Sequence, residues 1–255
     1  MNSKTNSVSA SIVTYNSEKD IRKVLDSLRE CKVDKIFVID NCSTDSTVKI
    51  ISEQYPEVEL ICMDRNVGYG AANNIAIKKT TSVFHIILNP DITLSKDNLD
   101  AMINYMTSNE DVAILTPRVL NHDGTEQFLP RKNPKFKYLI SGRFENVSYF
   151  RKLRDDYTLR GKNLENPIEV DLCTGCFMFT RTEMLQKSGG FDERYFMYLE
   201  DADLTRTIKK YGKTMYVPTV TVNHEWKRES SKSIKMLSIH IISMIKYSMK
   251  WAGKK

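Results

Sequence analysis

What most constrains this chain is an alternation in its first 120 residues, where short β-branched, apolar runs are separated by segments of helical period. Val8 to Thr14, Lys35 to Asp40, Val58 to Met63, Val83 to Leu88 and Val112 to Thr116 read as buried strands, because β-branched side chains suit a pleated surface covered on both faces. Between them, Ile21, Val24, Leu25 and Leu28 form one face of a first helix behind the capping-box-like Ser17-Glu-Lys-Asp20. Ser43 or Thr44 is expected to cap a second helix through Val48, Ile50 and Ile51. Gly70 to Lys79 reads as a third, and Ser95 or Asp97 opens a fourth through Leu99, Met102, Ile103 and Met106. Strands and helices at this spacing close right-handed crossovers, which gives an α/β fold with a mostly parallel sheet flanked by helices.

An open parallel sheet binds ligands outside the carboxyl ends of its strands. Four polar groups fall there: Thr14-Tyr15-Asn16, Asp40-Asn41, Asp64-Arg65-Asn66 and Asn89-Pro90-Asp91. Each alone is also what a strand-to-helix turn uses, but four in succession at one sheet edge mark a site. No G-x-G-x-x-G follows the first strand and no G-x-x-x-x-G-K-[ST] occurs, so the backbone does not cradle phosphates as dinucleotide folds or P-loops do. A diphosphate here needs another counter-charge. Asp91, on a turn stiffened by Pro90, offers a carboxylate to Mg2+ or Mn2+, hard ions that bridge phosphates through one or two protein oxygens.

Further along, Glu200, Asp201 and Asp203 stand directly behind the aromatic, apolar run Phe191 to Leu199. Two readings are open for such a run. Carboxylates shielded from water have raised pKa values and serve as general bases, and acidic residues also favour the first turn of a helix, where they meet the positive end of its dipole.

At 255 residues, 41% hydrophobic and 27% charged, the chain suits one large globular domain or a domain with an appendage. Its net charge of +6 is concentrated in Arg131 to Lys162 and Lys227 to Lys255, stretches that suit anionic lipid, phosphorylated substrates or simple solvation. The five cysteines are too few and too irregular for a secreted disulfide framework, which points to a reducing, cytoplasmic setting. Cys173-Thr-Gly-Cys176 has no second pair at zinc-ribbon spacing, and Asp171 to Thr180 reads as a buried strand with a glycine. The polar start, Met1 to Asn6, lacks an apolar signal core, and no stretch approaches the ~20 apolar residues of a membrane span.

The order of Ile12-Val-Thr-Tyr-Asn16, Val38-Ile-Asp-Asn41 with Ser43-Thr-Asp45, Arg65-Asn-Val-Gly-Tyr-Gly70, Leu88-Asn-Pro-Asp91, Gly189-Gly-Phe-Asp192 and Glu200-Asp-Ala-Asp-Leu204 resembles the family 2 inverting glycosyltransferases of the GT-A fold. Within that family it is most similar to the bacterial rhamnosyltransferase-like branch, over about residues 8 to 230. The resemblance implies a GT-A domain over 1–230, with a nucleotide-binding half over about 8–120, an acceptor-binding half over 121–230 and a C-terminal amphipathic helix in 231–255.

It further implies that Thr14, Tyr15 and Asn16 line the nucleotide pocket, with Asn41, Asn66 and Asn89 beside it, and that Asp40 hydrogen-bonds the base. Arg65 is expected near the base or phosphates, and Gly68 and Gly70 are expected to let the chain pass close to the donor. Asp91 matches the last position of the family's D-x-D metal motif, and Asn89 replaces its first aspartate, which removes one negative charge. His224 falls where relatives place a histidine after the last core strand and would complete the shell of Mn2+ or Mg2+ with Asp91, imidazole favouring Mn2+; a histidine bonded at a strand end is the other reading. Asp201 matches the catalytic base, with Glu200 supporting it. Asp203 is expected to cap its helix or to pair with Arg206 or Thr207.

The implied reaction moves a sugar from a nucleotide-diphosphate donor, dTDP-rhamnose first and UDP-hexoses next, to a hydroxyl of a glycan or polyprenyl-diphosphate-linked glycan in bacterial cell-surface polysaccharide synthesis. No nucleic-acid partner is expected. A sugar-nucleotide pyrophosphorylase would carry a Gly-rich, Arg-containing loop after the first strand, where Tyr15-Asn-Ser-Glu18 stands. A non-catalytic nucleotide-sugar binding module would not need Asp91, Asp201 and His224 together.

Asn121-His-Asp-Gly-Thr125 reads as a hairpin turn. The basic, aromatic segment 128–161 is either an acceptor wall or lid, or an insertion without special role. Ile234 to Trp251 reads as a basic amphipathic helix with Tyr247 and Trp251 near its end. It suits a peripheral membrane surface, packing on its own domain, or a second subunit in a homodimer.

Overall fold

The computed structural model describes residues 6–141, 147–161, 164–225 and 234–253. Four strands, β1 (Val8–Thr14), β2 (Lys35–Asp40), β3 (Glu59–Cys62) and β4 (Phe84–Leu88), run parallel in the order β3-β2-β1-β4. Between them lie α1 (Ile21–Glu30), α2 (Thr47–Gln54) and α3 (Tyr69–Lys79). Beyond β4 come β5 (Ile92–Thr93), α4 (Lys96–Ser108), β6 (Val112–Leu120), α5 (Phe136–Ser141), α6 (Ser148–Tyr157), β7 (Ile168–Glu169), β8 (Phe177–Arg181), α7 (Thr182–Lys187), α8 (Glu200–Ile208), β9 (Lys213–His224) and α9 (Ile234–Trp251). The sheet continues β4-β8-β6-β9-β5, with β8 antiparallel to both β4 and β6, and β6 parallel to β9. The expected mostly parallel α/β sheet is therefore present, with β8 as an antiparallel wedge at its centre.

Both faces of the sheet are covered, and this explains why every residue of β1 is buried. Ala10, Ile12, Val38 and Ile86 pack against Val24, Leu25 and Leu28 of α1, Ile50 and Ile51 of α2, and Leu99, Met102 and Met106 of α4. Val13, Phe37 and Ile39 turn the other way onto Ala72 and Ala76 of α3, while Ile87, Ile114 and Met178 meet Leu185, Leu204 and Ile208 of α7 and α8. Each fully buried aliphatic contributes about 1.5–3 kcal/mol.

Helix starts were less legible than helices. Ser95 caps α4 as expected, accepting from Asn98 N. Neither Asp20 before α1 nor Ser46 before α2 makes a side-chain cap bond, and the Thr47 N–H that opens α2 is taken by Asp45 Oδ1. The Ser17 hydroxyl accepts from Tyr15 N, and Ser43 and Thr44 bond Asp40 and Asn16 instead of opening α2. Asp171 to Cys176 is a loop and not strand, because its backbone is used by the site described next; regular β-structure starts only at Phe177. The hairpin turn is confirmed: Asn121 N donates to Thr125 O across it, and Leu120 bridges Glu126.

Candidate active site

The carboxyl ends of β1, β2 and β4 converge with the starts of α3 and α8 and the end of β9. Thr14 and Asp40 are register partners on β1 and β2, and the Thr14 hydroxyl donates to Asp40 Oδ1 at 2.8 Å. Asp40 is 1% exposed, and Ser43 supplies two further donors to it. Asn16, at φ 54°, accepts from Thr44 N and donates its own N–H to Ser43 Oγ, while Tyr15 beside it is exposed. Thr14, Asn16, Asp40, Ser43 and Thr44 form one hydrogen-bonded rim, with Asp40 as its buried anchor.

Asn41 holds the next loop: its amide donates to Gly68 O and accepts from Val67 N, and Asn66 Oδ1 accepts from Gly68 N. Arg65 stands exposed at the outer side of this loop. The two glycines also permit a close approach within the protein itself. A Cβ on Gly68, where φ is 91°, would meet Phe196 O at 2.3 Å, and one on Gly70 would meet Phe191 Cβ at 2.8 Å. The glycines thus let the 191–196 segment lie directly on the start of α3.

Asp91 and His224 are brought together by the short antiparallel ladder of β5 and β9, in which Ile92 pairs His224. His224 is buried, and its Nε2 lies 3.3 Å from Asp91 Oδ1. Gln127, which the sequence reading passed over, fixes the ring. Its amide nitrogen donates to His224 O and Asn121 Oδ1, so Oε1 must be the atom 2.8 Å from His224 Nδ1. Nδ1 then carries the hydrogen, and Nε2 is the atom that faces the carboxylate. An imidazole nitrogen beside a carboxylate oxygen is a ligand pair that suits a divalent cation. Among the described residues no group of three His, Cys, Asp or Glu side chains could hold a metal, so a divalent ion here would draw its other ligands from substrate phosphates and water.

The acidic run separates by environment. Tyr198 and Leu199 are both left-handed, at φ 68° and 67°, a conformation that costs a side-chain-bearing residue about 1–2 kcal/mol and is found at functional sites. They lead into the first turn of α8. Asp201 is half-buried, with Oδ2 accepting from Gly175 N at 3.0 Å and Oδ1 from Ala202 N at 2.8 Å. Burial raises its pKa, while those N–H groups and the charge of Arg131 pull it back. Glu200 is 6% exposed, and its Oε2 has no hydrogen-bond partner. Burial, then the neighbouring Asp201 charge, pushes it up to about 8. The two environments differ: burial without a partner favours the protonated form of Glu200, whereas Asp201 is half-buried and its charged form is favoured by two N–H groups and by Arg131 against the upward pull of burial.

Asp203 does not serve as a cap or pair with Thr207. It is 2% exposed and takes Lys250 Nζ at 2.6 Å, Trp251 Nε1 at 2.8 Å and Tyr195 OH at 3.4 Å. Lys250 and Trp251 come from α9, more than forty residues away, which no local spacing announces. Removing one member of so buried an ion pair costs about 3–5 kcal/mol.

The clusters are physically joined. Tyr69, next to Gly68, donates its hydroxyl to Gly175 O at 2.6 Å, and Asn89 N donates to Cys176 O at 2.9 Å. The Cys173–Cys176 loop thus ties the Asn89-Pro-Asp91 turn, the α3 start and Asp201 into one edge. Cys173 is buried and Cys176 half-buried, and desolvation holds both thiols protonated, Cys176 pushed up to about 11, so the C-x-x-C is a structural loop with a donor N–H at its centre. Arg131, a second residue the sequence reading left without a role, bridges Leu172 and lies with its guanidinium 5.7 Å from the centre of the Tyr157 ring, close enough for its charge to reach Asp201.

An open, mostly parallel α/β sheet flanked by helices is the fold of the GT-A glycosyltransferases. The structure of GalNAc-T7 with UDP, GalNAc and Mn2+ shares that fold, with a TM-score of 0.71 at 15% identity over 99% of this chain, which spans 49% of that one. Residues 9–187 match the model of glycosyl transferase family 2, and the chain belongs to that family. It is 31% identical over 230 residues to the N-acetylglucosaminyl-diphospho-decaprenol L-rhamnosyltransferase of Mycobacterium tuberculosis, covering 83% of this chain and 74% of that one. To the rhamnosyltransferase WbbL of Escherichia coli it is 28% identical over 224 residues, covering 84% and 81%. The chain is a family 2 glycosyltransferase with rhamnosyltransferase homologues.

Proposed function

We propose that this enzyme transfers a sugar, rhamnose from dTDP-rhamnose in the first place and a hexose from UDP in the second, with inversion, to a hydroxyl of a lipid-linked glycan at the cytoplasmic side of a bacterial membrane. The observation that carries the reading is the acidic turn itself, a buried Glu200 beside a half-buried Asp201 held by Gly175 N and Ala202 N, on the same edge as Asp91 and His224. The donor and acceptor classes are supported by what the two bacterial relatives are named for.

In this reading Asp201 accepts the acceptor's hydroxyl proton as that oxygen bonds the anomeric carbon from the face opposite the diphosphate. The bond from that carbon to the phosphate oxygen breaks, and its electron pair leaves with the nucleotide diphosphate. Gly175 N and Ala202 N hold the carboxylate for this step, and Glu200, neutral beside it, adds no competing charge. Asp91 and His224 would hold Mn2+ or Mg2+, which when bound neutralises the charge of the leaving diphosphate. Thr14, Tyr15, Asn16 and Arg65 line the nucleotide end, with Asp40 holding the rim and offering its remaining lone pair to the base. Arg131 faces the reacting end and steadies the ionised Asp201.

A thermal-shift panel of UDP-, dTDP- and GDP-sugars with and without Mn2+ identifies the donor, since a ligand of the folded state raises its apparent stability. Asp201→Asn is expected to keep that donor shift while slowing transfer by about two to four orders of magnitude. Near-normal turnover in that variant would sink the assignment.

A further inference from the structure

The two faces of α9 differ in character. Ser243, Met244 and Tyr247 on its inner face are buried, Met244 and Tyr247 with Leu172, Tyr195, Leu199 and Ala202. Ser243 Oγ donates to Met197 O, Lys250 bridges Asp192 and Asp203, and the Arg206 guanidinium stacks over Trp251 at 4.3 Å. Tyr247 and Trp251, the residues that suggest a membrane interface in the sequence, are therefore used against the enzyme's own domain. The outer face is another matter. Ile241, Ile242, Ile245 and Met249 are 39%, 51%, 45% and 76% exposed, and their spacing puts them in one strip along the helix. Exposed Lys235 and Lys246 lie along one border of that strip, seven residues before Ile242 and four after it. The sequence from Ile234 to Gly253 contains no Asp or Glu.

We propose that the outer face of α9 docks on an anionic membrane surface, with the isoleucines and Met249 in the acyl boundary and Lys235 and Lys246 at the headgroups. No helix among the described residues is long and apolar enough to cross a membrane, so the contact is with the surface. Charge selects this occupant over a second copy of the chain. A two-fold contact through the same strip would set lysine-bordered faces together with no carboxylate on either helix to answer them. Anionic headgroups over acyl chains answer both features of the strip at once.

The contact also has a position relative to the chemistry. The helix that carries the strip holds Asp203, two residues after Asp201, and its Tyr247 hydroxyl donates to Asn133, two residues after Arg131. The adjoining α5 and α6 show the same mixture, with Phe136, Val147 and Tyr149 exposed among Lys135, Lys137 and Lys152. Docking through α9 would hold the catalytic edge at a fixed place beside the lipid surface, whichever sugar is transferred.

The test is flotation of the full chain with vesicles of phosphatidylglycerol and phosphatidylcholine, or of phosphatidylcholine alone. It compares wild type with the triple variant Ile242→Asn, Ile245→Asn, Met249→Asn and with the double variant Lys235→Gln, Lys246→Gln. All three changed apolar side chains face water, so the triple variant is expected to melt with the wild type, and a melting curve checks this. The wild type is expected to float with the anionic vesicles and to lose about ten-fold or more of the bound fraction on phosphatidylcholine alone. A similar loss is expected in the triple variant, and a salt-dependent loss in the double variant. Equal flotation of the folded triple variant, or no flotation of the wild type with anionic vesicles, overturns the proposal. So does light scattering that finds a wild-type dimer and a triple-variant monomer, which would make the strip a subunit interface.

Discussion

Replacing Glu200 by glutamine should stabilise the protein at neutral pH and do so less as the pH falls. Glu200 has an ordinary pKa of 4.5 and is held at about 8 in the folded chain, mainly by burial. Between those values the folded protein keeps a proton that the unfolded chain has released. Protons bound thus number more in the folded state, and stability falls as pH rises through that window. At pH 7 the accumulated cost is about 3 kcal/mol and at pH 5 about 1 kcal/mol, from ~1.4 kcal/mol for each unit of pH. Glutamine is neutral at both. Its amide brings its own cost of about 1–3 kcal/mol if left unbonded, but that cost does not change with pH.

The informative quantity is therefore a double difference: the stability of Glu200→Gln relative to wild type should be about 2 kcal/mol more favourable at pH 7 than at pH 5. Urea unfolding of the two proteins at both pH values, without donor or metal, measures it, and the melting temperatures should move in parallel by about 4–8 °C. A difference that is the same at pH 5 and pH 7 would show that Glu200 ionises normally in the folded protein. The division of labour between Glu200 and Asp201 would fall with it.

Two further outcomes follow from the residues that the sequence did not single out. Gln127→Leu removes the acceptor that holds His224 Nδ1–H, and Mn2+ affinity, read by calorimetry or by the free-ion paramagnetic resonance signal, should fall about 10- to 100-fold as the ring loses its orientation. Unchanged affinity would remove the histidine's orientation from the account. Arg131→Met takes away a positive charge that lowers the pKa of Asp201, so the acidic limb of the kcat/KM profile should move to higher pH, and Arg131→Lys should restore most of the shift; a limb that stays in place would make Arg131 a packing residue.

Much of the framework was legible because it is written in local period. The runs Val8–Thr14 and Lys35–Asp40 are strands with the expected bounds, the helix faces of α1 and α4 are buried at the expected positions, and α9 spans the expected Ile234–Trp251. The chemistry-bearing ends of β1, β2 and β4 follow from that framework, since a parallel sheet has only one carboxyl edge. The Asp171 to Cys176 stretch was misread for the opposite reason. Its apolar composition resembles a strand, but its Gly175 N–H is taken by the Asp201 carboxylate and its Cys173 N–H by the Thr205 hydroxyl, both from α8.

The sequence by itself determined the parallel half of the sheet and named Asp91, Asp201 and His224 as candidates, because periodicity and motif order are properties of neighbours along the chain. Only the tertiary structure decided what each carboxylate and each ring does. Burial favours the neutral form of Glu200, Gly175 and Arg131 come from other segments to favour the charged form of Asp201, and His224 is oriented because Gln127 lies across from it. Asp203 is structural because a helix more than forty residues away closes on it. Burial, hydrogen bonding and charge act through space, and these residues meet only when the chain has folded.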